Sequence, residues 1–138
     1  MTTPFSIPVR VYYEDTDAGG VVYYANYLKF MERARTEWMR GLGFEQDELL
    51  ARCGVVFAVR SVRLDYLKPG RMNDLLKVSV VLIRRGHASL TLQQRVQRED
   101  LVLCEGEVKV ACIAANTFTS CALPDELVTR LTETEGRV

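Results

Sequence analysis

Apolar and polar residues change rhythm along this chain, and each rhythm marks a class of element. From Ala25 to Arg40 there is neither Gly nor Pro. Within that run Tyr27, Met31, Ala34 and Trp38 recur at helical spacing, with Phe30 beside them. Residues three and four apart share one helix face, so the run predicts a long amphipathic helix with one buried stripe. Gly41 and Gly43 supply its stop. Asn26 or Thr16 is placed to cap a nearby turn. Ahead of the helix, Val9 to Tyr13 follows Pro8 and is β-branched and aromatic, which predicts a short first strand.

After the helix the period falls to two. Val55 to Leu67 predicts a strand whose alternation slips near Arg60 and Ser61, as a bulge would make it. Pro69-Gly70 ends it. Leu75 to Ile83 is almost continuously apolar, as a central strand or one covered on both faces would be. Beyond the turn Arg84-Arg85-Gly86-His87, Leu90, Leu92 and Val96 face one way, and Thr91, Gln93 and Arg95 the other. Past Glu99-Asp100, Val102, Cys104, Val108, Val110 and Cys112 share a face opposite Glu105, Glu107 and Lys109. Short helices are expected at Gln46–Arg52 and Pro124–Thr132, the second opening at a proline. The polar tail Glu133–Val138 is expected to fray.

This order predicts an α+β fold. An antiparallel sheet of about five strands wraps around one long central helix and buries its stripe. Sheet edges need cover, and a second copy of the chain is one way to supply it. The 138 residues fit one domain, spanning residues 1–138. Composition changes little in that picture: 48% hydrophobic and 26% charged residues read as an ordinary globular chain. The 18 basic and 18 acidic residues cancel, leaving no overall field to recruit nucleic acid. The N-terminus lacks a basic segment followed by an apolar one, and no run approaches about 18 apolar residues. A cytoplasmic protein without membrane insertion is therefore expected. Cys53, Cys104, Cys112 and Cys121 match neither a zinc ribbon nor a redox pair, and no metal site is expected. Cys104 and Cys112 read as small buried hydrophobes.

The chemistry concentrates in Tyr13-Glu14-Asp15-Thr16-Asp17-Ala18-Gly19-Gly20-Val21-Val22-Tyr23-Tyr24. Here three acidic groups and two glycines lie between a strand-like run and a helix. Such a loop can hold a carboxylate beside the exposed N–H groups of a helix start. One group then acts as base or nucleophile while the others stabilise negative charge on oxygen. Asp17 has two readings on residue type alone: a turn or helix cap, or a reacting carboxylate. Asp15 reads as holding the loop through backbone N–H groups. Glu14 reads as solvated, and Thr16 as bonded within the turn. The glycines permit unusual backbone and close approach of a ligand.

Val11 to Tyr23, followed by Asn26-Tyr27, Phe30 and Glu32-Arg33-Ala34-Arg35, resembles the signature of hotdog-fold acyl-CoA thioesterases. It is most similar to the Tol-Pal system-associated branch, related to 4-hydroxybenzoyl-CoA thioesterase. The similarity runs from about residue 8 to residue 130. It implies hydrolysis of acyl-CoA with Asp17 as general base or nucleophile. A backbone N–H among Val22 to Tyr24 would polarise the thioester carbonyl. Tyr24 joins Asp17 as a candidate catalytic residue, although the branch often carries histidine there. Tyrosine donates a hydrogen bond but is a poor base near neutrality. The resemblance further implies a homodimer with sites at the subunit interface, assembling to a homotetramer. It also implies a lipid-metabolic setting near the inner membrane, with an acyl-carrier protein or lipid-synthesis enzymes as partners. CoA enters as substrate, and no retained cofactor is expected.

A substrate bearing phosphates calls for a basic rim, with Arg60, Arg84, Arg85, Gly86 and His87 as candidates and Arg63 and Lys68 nearby. A solvated surface accounts for the same arginines, and a plain loop for His87. Tyr27, Phe30, Met31 and Trp38 are candidates for an acyl pocket as well as for core. The alternatives are a non-catalytic acyl-CoA or acyl-carrier binding module, and a dehydratase of the same fold. Tyr24 and the single histidine, His87, weigh against the dehydratase. No G-x-S-x-G elbow, P-loop or dinucleotide fingerprint occurs.

Overall fold

The computed structural model describes residues 4–135. Strand β1 (Phe5–Arg10) leads through a short 3-10 turn (Tyr13–Asp15) to helices α1 (Asn26–Gly41) and α2 (Gln46–Cys53). Strands β2 (Val55–Tyr66), β3 (Leu75–Arg85), β4 (Ser89–Arg98) and β5 (Leu101–Ala114) follow. A two-residue strand β6 (Thr119–Ser120) and helix α3 (Asp125–Glu135) complete the chain. The strands form one antiparallel sheet in the order β1-β3-β4-β5-β2. The small β6 extends it by pairing Ser120 with Ile113 of β5, past the point where β4 ends opposite Ala111.

The α+β reading, the five long strands and the antiparallel sheet hold. No single helix is unambiguously central: among the described residues there are three helices, of 16, 8 and 11 residues, the two shorter ones close to the expected Gln46–Arg52 and Pro124–Thr132. Helix α1 is the longest, and it lies against β1, β3 and β4. Its apolar stripe is where the periodicity puts it: Tyr27, Phe30, Met31, Ala34 and Trp38 are all buried. Removing side chains such as Phe30 and Met31 from water is worth about 1.5–3 kcal/mol each. Helix α2 packs on β2 instead, ending at Gly54 with φ +68, the left-handed position that glycine adopts most readily.

The first strand lies earlier than expected. It runs through Pro8 and stops at Arg10, because β1 is an edge strand, where a missing N–H is tolerated. Tyr13 turns into the 3-10 segment rather than extending a strand. Thr16 caps the nearby turn as expected, closing the 3-10 segment at its C-terminal end through its N–H on the Tyr13 carbonyl, while Ala25 takes the N-cap position of α1 without a side-chain bond. Helix α3 continues through Glu133 to Glu135, and the remaining tail residues 136–138 lie outside the described residues. The expected slip in β2 is present as a register shift between Val59 and Ser61. No helix among the described residues is long and apolar enough to cross a membrane.

Helix α1 packs on β1, β3 and β4, and the strip between it and the edge strand β2, here termed the trough, carries two separate hollows. Helix and strand run in opposite directions. Tyr24 and Tyr27 face Tyr66 at one end, and Trp38 and Met39 share a hollow with Phe57 and Val59 at the other.

Candidate active site

The loop between β1 and α1 is held by Asp15. Its buried carboxylate accepts the Tyr12 N–H on Oδ2 (2.8 Å) and the Asn26 side-chain amide on Oδ1 (3.0 Å). Its carbonyl accepts the Tyr23 N–H (2.8 Å). One residue thus ties the 3-10 turn to the first turn of α1, which is the structural role expected of it. Thr16 bonds locally, donating its hydroxyl to the Tyr13 carbonyl (2.7 Å). Thr16 and Val22 then pair across a short antiparallel ladder. The Asp17 N–H donates to the Val21 carbonyl (2.9 Å), and the Gly20 N–H to the Asp17 carbonyl (3.0 Å). The turn closes at Gly20 with φ +79, a backbone few other residues adopt without cost. Asp17 sits exposed at this turn, and its Oδ1 accepts the Gly19 N–H (2.8 Å). That bond engages one oxygen, and Oδ2 has no intramolecular partner among the described residues.

The ladder's other end is the start of α1. One N–H among Val22 to Tyr24 was expected there as donor to a substrate oxygen. Val22 spends its N–H on the Gly70 carbonyl (2.8 Å) and Tyr23 on Asp15 (2.8 Å). Among the described residues only Tyr24, of the three, has an N–H with no partner. Its ring is exposed and stands edge-on to Tyr66, centroids 6.2 Å apart. Tyr27 lies 5.7 Å from Tyr66 by the same measure. These rings, with Val22, Leu67 and Lys68, bound a hollow of about 240 Å³. Behind it, the buried Tyr27 hydroxyl accepts the Gly70 N–H (3.0 Å). Burial pushes the Tyr27 phenol up from its usual 10.0, a rise that the Gly70 bond partly offsets. Gly70 therefore uses both backbone groups to brace the site. A Cβ there would meet Val22 Cγ2 at 3.0 Å.

The far end of the trough holds a second hollow of about 280 Å³. Trp38, Met39, Phe57, Leu90, Leu92 and Val110 make it apolar, and Glu32, Arg35 and Thr36 line the α1 side. Of the residues expected to line an acyl pocket, Trp38 faces this hollow and Tyr27 the first. Phe30 and Met31 are wholly buried core.

Gln94 and Arg35 were not singled out from the sequence. The signal was there: Gln94 falls in the same inward phase of β4 as Leu90, Leu92 and Val96, a polar residue in an apolar series. It is fully buried, and its amide donates to the Met31 carbonyl of α1 (3.0 Å). Its Oε1 accepts from the Arg35 guanidinium (3.0 Å). Burial pulls the Arg35 pKa down, and nearby Glu32 pulls it back up.

The proposed basic rim does not converge on Asp17 within one chain. Strand β3 separates the two places. The loop before it pairs Arg71 with Val21 beside Asp17, while Arg84, Arg85, Gly86 and His87 lie at its far end. Eleven strand residues span roughly 35 Å. Arg85 donates to Thr132 of α3 (2.9 Å), and the His87 carbonyl accepts from Leu123 (3.0 Å). The Gly86 N–H closes its own turn onto the Ser89 carbonyl (2.8 Å), so it is not open to a phosphate. Arg84 faces a shallow hollow of about 220 Å³ with Arg63, Glu107 and Lys109, and Arg60 is exposed at the β2 bulge.

Burial drives the Cys104 thiol up to about 12, and burial with the Cys121 contact does the same to Cys112. Neither is a nucleophile near neutral pH. Among the described residues no cluster of His, Cys, Asp or Glu is arranged to hold a metal ion.

Comparison with known proteins gives one consistent result. The model of the thioesterase superfamily matches residues 19–105, opening just after Asp17. The acyl-CoA thioesterase YbgC of Haemophilus influenzae is 46% identical over 123 residues, covering 89% of this chain and 90% of that protein. The acyl-CoA thioester hydrolase YbgC of Escherichia coli O157:H7 is 45% identical over 128 residues, covering 92% and 95%. In three dimensions the chain superposes on a DHNA-CoA thioesterase from Staphylococcus aureus with a TM-score of 0.87. At 20% identity, over 95% of this chain and 90% of that one, the likeness is one of fold.

Proposed function

The chain belongs to the thioesterase superfamily, within its acyl-CoA thioesterases, and we propose that it cleaves acyl-CoA to a free acid and CoA using Asp17 and the Tyr24 N–H. The observation that carries this reading is the pairing of an exposed carboxylate with one unspent N–H at the start of a 16-residue helix. The thioester carbonyl oxygen takes the place in front of Tyr24. There it meets the N–H and the positive end of α1, equivalent to roughly half a charge. As water adds to the carbonyl carbon, the oxygen becomes an oxyanion, and a donor of this kind is worth about 3–4 kcal/mol in the transition state. The tetrahedral adduct collapses by breaking the C–S bond, and CoA leaves as a thiolate.

Asp17 acts on the water as general base. A water held on Oδ2 gives its proton to the carboxylate as it adds to the carbonyl carbon. The Gly19 N–H fixes the carboxylate so that no side-chain freedom is lost during reaction. The Tyr24 hydroxyl is not the base, and its ring forms one wall of the hollow with Tyr66. The acyl group runs down the trough beside α1.

Two copies pair through β2. This edge strand is 12 residues long, and exposes Val59 and Val62 at its middle. Pairing it with a second copy satisfies its open edge and covers those side chains. It also offers a route by which Arg60 or Arg84 of one copy reaches a substrate held by the other.

Release of free thiol from a panel of acyl-CoA esters tests the proposal, with Asp17→Asn in parallel. Parent turnover and a loss of about 100-fold or more in a variant that melts normally support it. An active Asp17→Asn would remove Asp17 from the mechanism. Saturable ester binding without turnover in the parent would favour a binding module.

A further inference from the structure

The inward-facing Gln94 and the half-buried Arg35 have no part in bond cleavage, and together they form a built polar site beside the trough. Gln94 holds the helix at the Met31 carbonyl and aims the Arg35 guanidinium. Among the described residues Arg35 has no carboxylate within ion-pair distance, and only the Gln94 contact engages its five N–H donors. Glu32 and Thr36 stand on the same wall. Apart from Gln46 the rest of the lining is apolar, with Phe57, Leu90, Leu92 and Val110. A guanidinium in such a place is kept hydrated only by solvent in the hollow.

We infer that Arg35, set by Gln94 and working with Glu32, selects acyl groups that carry a hydroxyl far from the thioester. The inference rests on the thioesterase reading above and names its substrate class. A plain alkyl chain entering this hollow would strip water from a cation and a carboxylate and return nothing. An ω-carboxylate would answer Arg35 but face the like charge of Glu32. A hydroxyl answers both, accepting from Arg35 and donating to Glu32. The spacing sets where that hydroxyl sits. The guanidinium is held at the level of Met31, seven residues beyond Tyr24, which along a helix is roughly 10 Å. A hydroxyl near the carbonyl is too close to reach it, whereas one near the end of a medium-length chain reaches.

The test uses the full chain and thiol-release kinetics with CoA esters matched in length: a medium straight-chain acyl group, its ω-hydroxy form and its ω-carboxy form. The expected result is a kcat/KM for the ω-hydroxy ester at least about tenfold above the other two, expressed mainly in KM. Arg35→Met is expected to bring that ratio close to one, and Arg35→Lys to restore part of it. Glu32 is exposed, so Glu32→Ala folds normally and is expected to cut the same ratio if Arg35→Met proves unstable. Three results would overturn the inference: no preference in the parent, a preference for the carboxylate, or an unchanged ratio in Glu32→Ala. In each, straight-chain turnover that still depends on Asp17 would leave the thioesterase reading standing. Absence of turnover on every ester would sink both.

Discussion

Removing one oxygen atom at Tyr27 probes how the fold braces the site. The Tyr27 hydroxyl is the acceptor for the buried Gly70 N–H, at 3.0 Å. In Tyr27→Phe the ring and its contacts with Phe30 and Tyr66 stay, but the N–H is orphaned. A buried donor left without a partner costs about 1–3 kcal/mol. Taking 2 kcal/mol, and about 3–4 °C per kcal/mol for a domain of this size, the melting temperature falls by about 7 °C. Activity falls too, because Gly70 also accepts from Val22, and Arg71 pairs with Val21. A loosened Gly70 therefore frees the backbone that positions Asp17 and Tyr24. The pH dependence gives a second readout. The folded pKa of Tyr27 is raised by burial, so its stabilising contribution is complete below pH 10.0 and is lost as pH climbs through the folded value. Phenylalanine has no such loss, so the gap between parent and variant narrows at alkaline pH. Thermal melts from neutral to strongly alkaline pH, with kcat/KM at neutral pH, make the comparison. A variant melting within about 1 °C of the parent at neutral pH would refute the reasoning.

Three further outcomes follow from other parts of the molecule. A Cβ at Gly106 would lie 1.9 Å from the Arg63 carbonyl of β2, so Gly106→Ala must push two strands apart; we expect a loss of about 3 kcal/mol in urea titration, the upper end of overpacking costs. Burial raises the Asp74 pKa, but the Arg71 N–H and the Arg98 guanidinium outweigh it and leave the value below 3.8. Its contribution is therefore present above pH 3.8 and lost as pH falls through the folded value, so the stability deficit of Asp74→Asn, about 1 kcal/mol at neutral pH, should close in acid melts. Thiol labelling of the native protein should modify exposed Cys53 first and leave Cys104 and Cys112 unmodified until the chain unfolds, as mass spectrometry of labelled peptides would show.

The parts legible in the sequence are those set by local pattern. The stripe on α1 is read from spacing because a helix buries every third or fourth residue whatever it packs against. The β2 bulge showed as broken alternation at Arg60 and Ser61, since a bulge shifts the phase of the side chains. Asp15 was read correctly as a loop brace, its partners being near in sequence. The misreadings have tertiary causes. The first strand was expected to follow Pro8, and only the place of Pro8 on the sheet edge makes it admissible within a strand. Which of Val22, Tyr23 and Tyr24 keeps a free N–H depends on Gly70, a residue far along the chain. The distance between Arg84–His87 and Asp17 within one chain is set by the length of β3, which no local pattern reports. Gln94 was passed over because alternation counts apolar residues and says nothing of why one is missing.

The two edges of the sheet are not equivalent, and their difference sets the valence of the chain. Beyond β2 lies a long edge with its ladder unfilled. The other edge is β1 itself, a strand of six residues interrupted by Pro8, which has no hydrogen to give. A unit with two competent edges adds copies without limit, as fibrils do. Under the pairing through β2 proposed above, a ribbon of two copies would present a proline-bearing strand at each end. The proline before which no strand was expected would then act as a chain stopper.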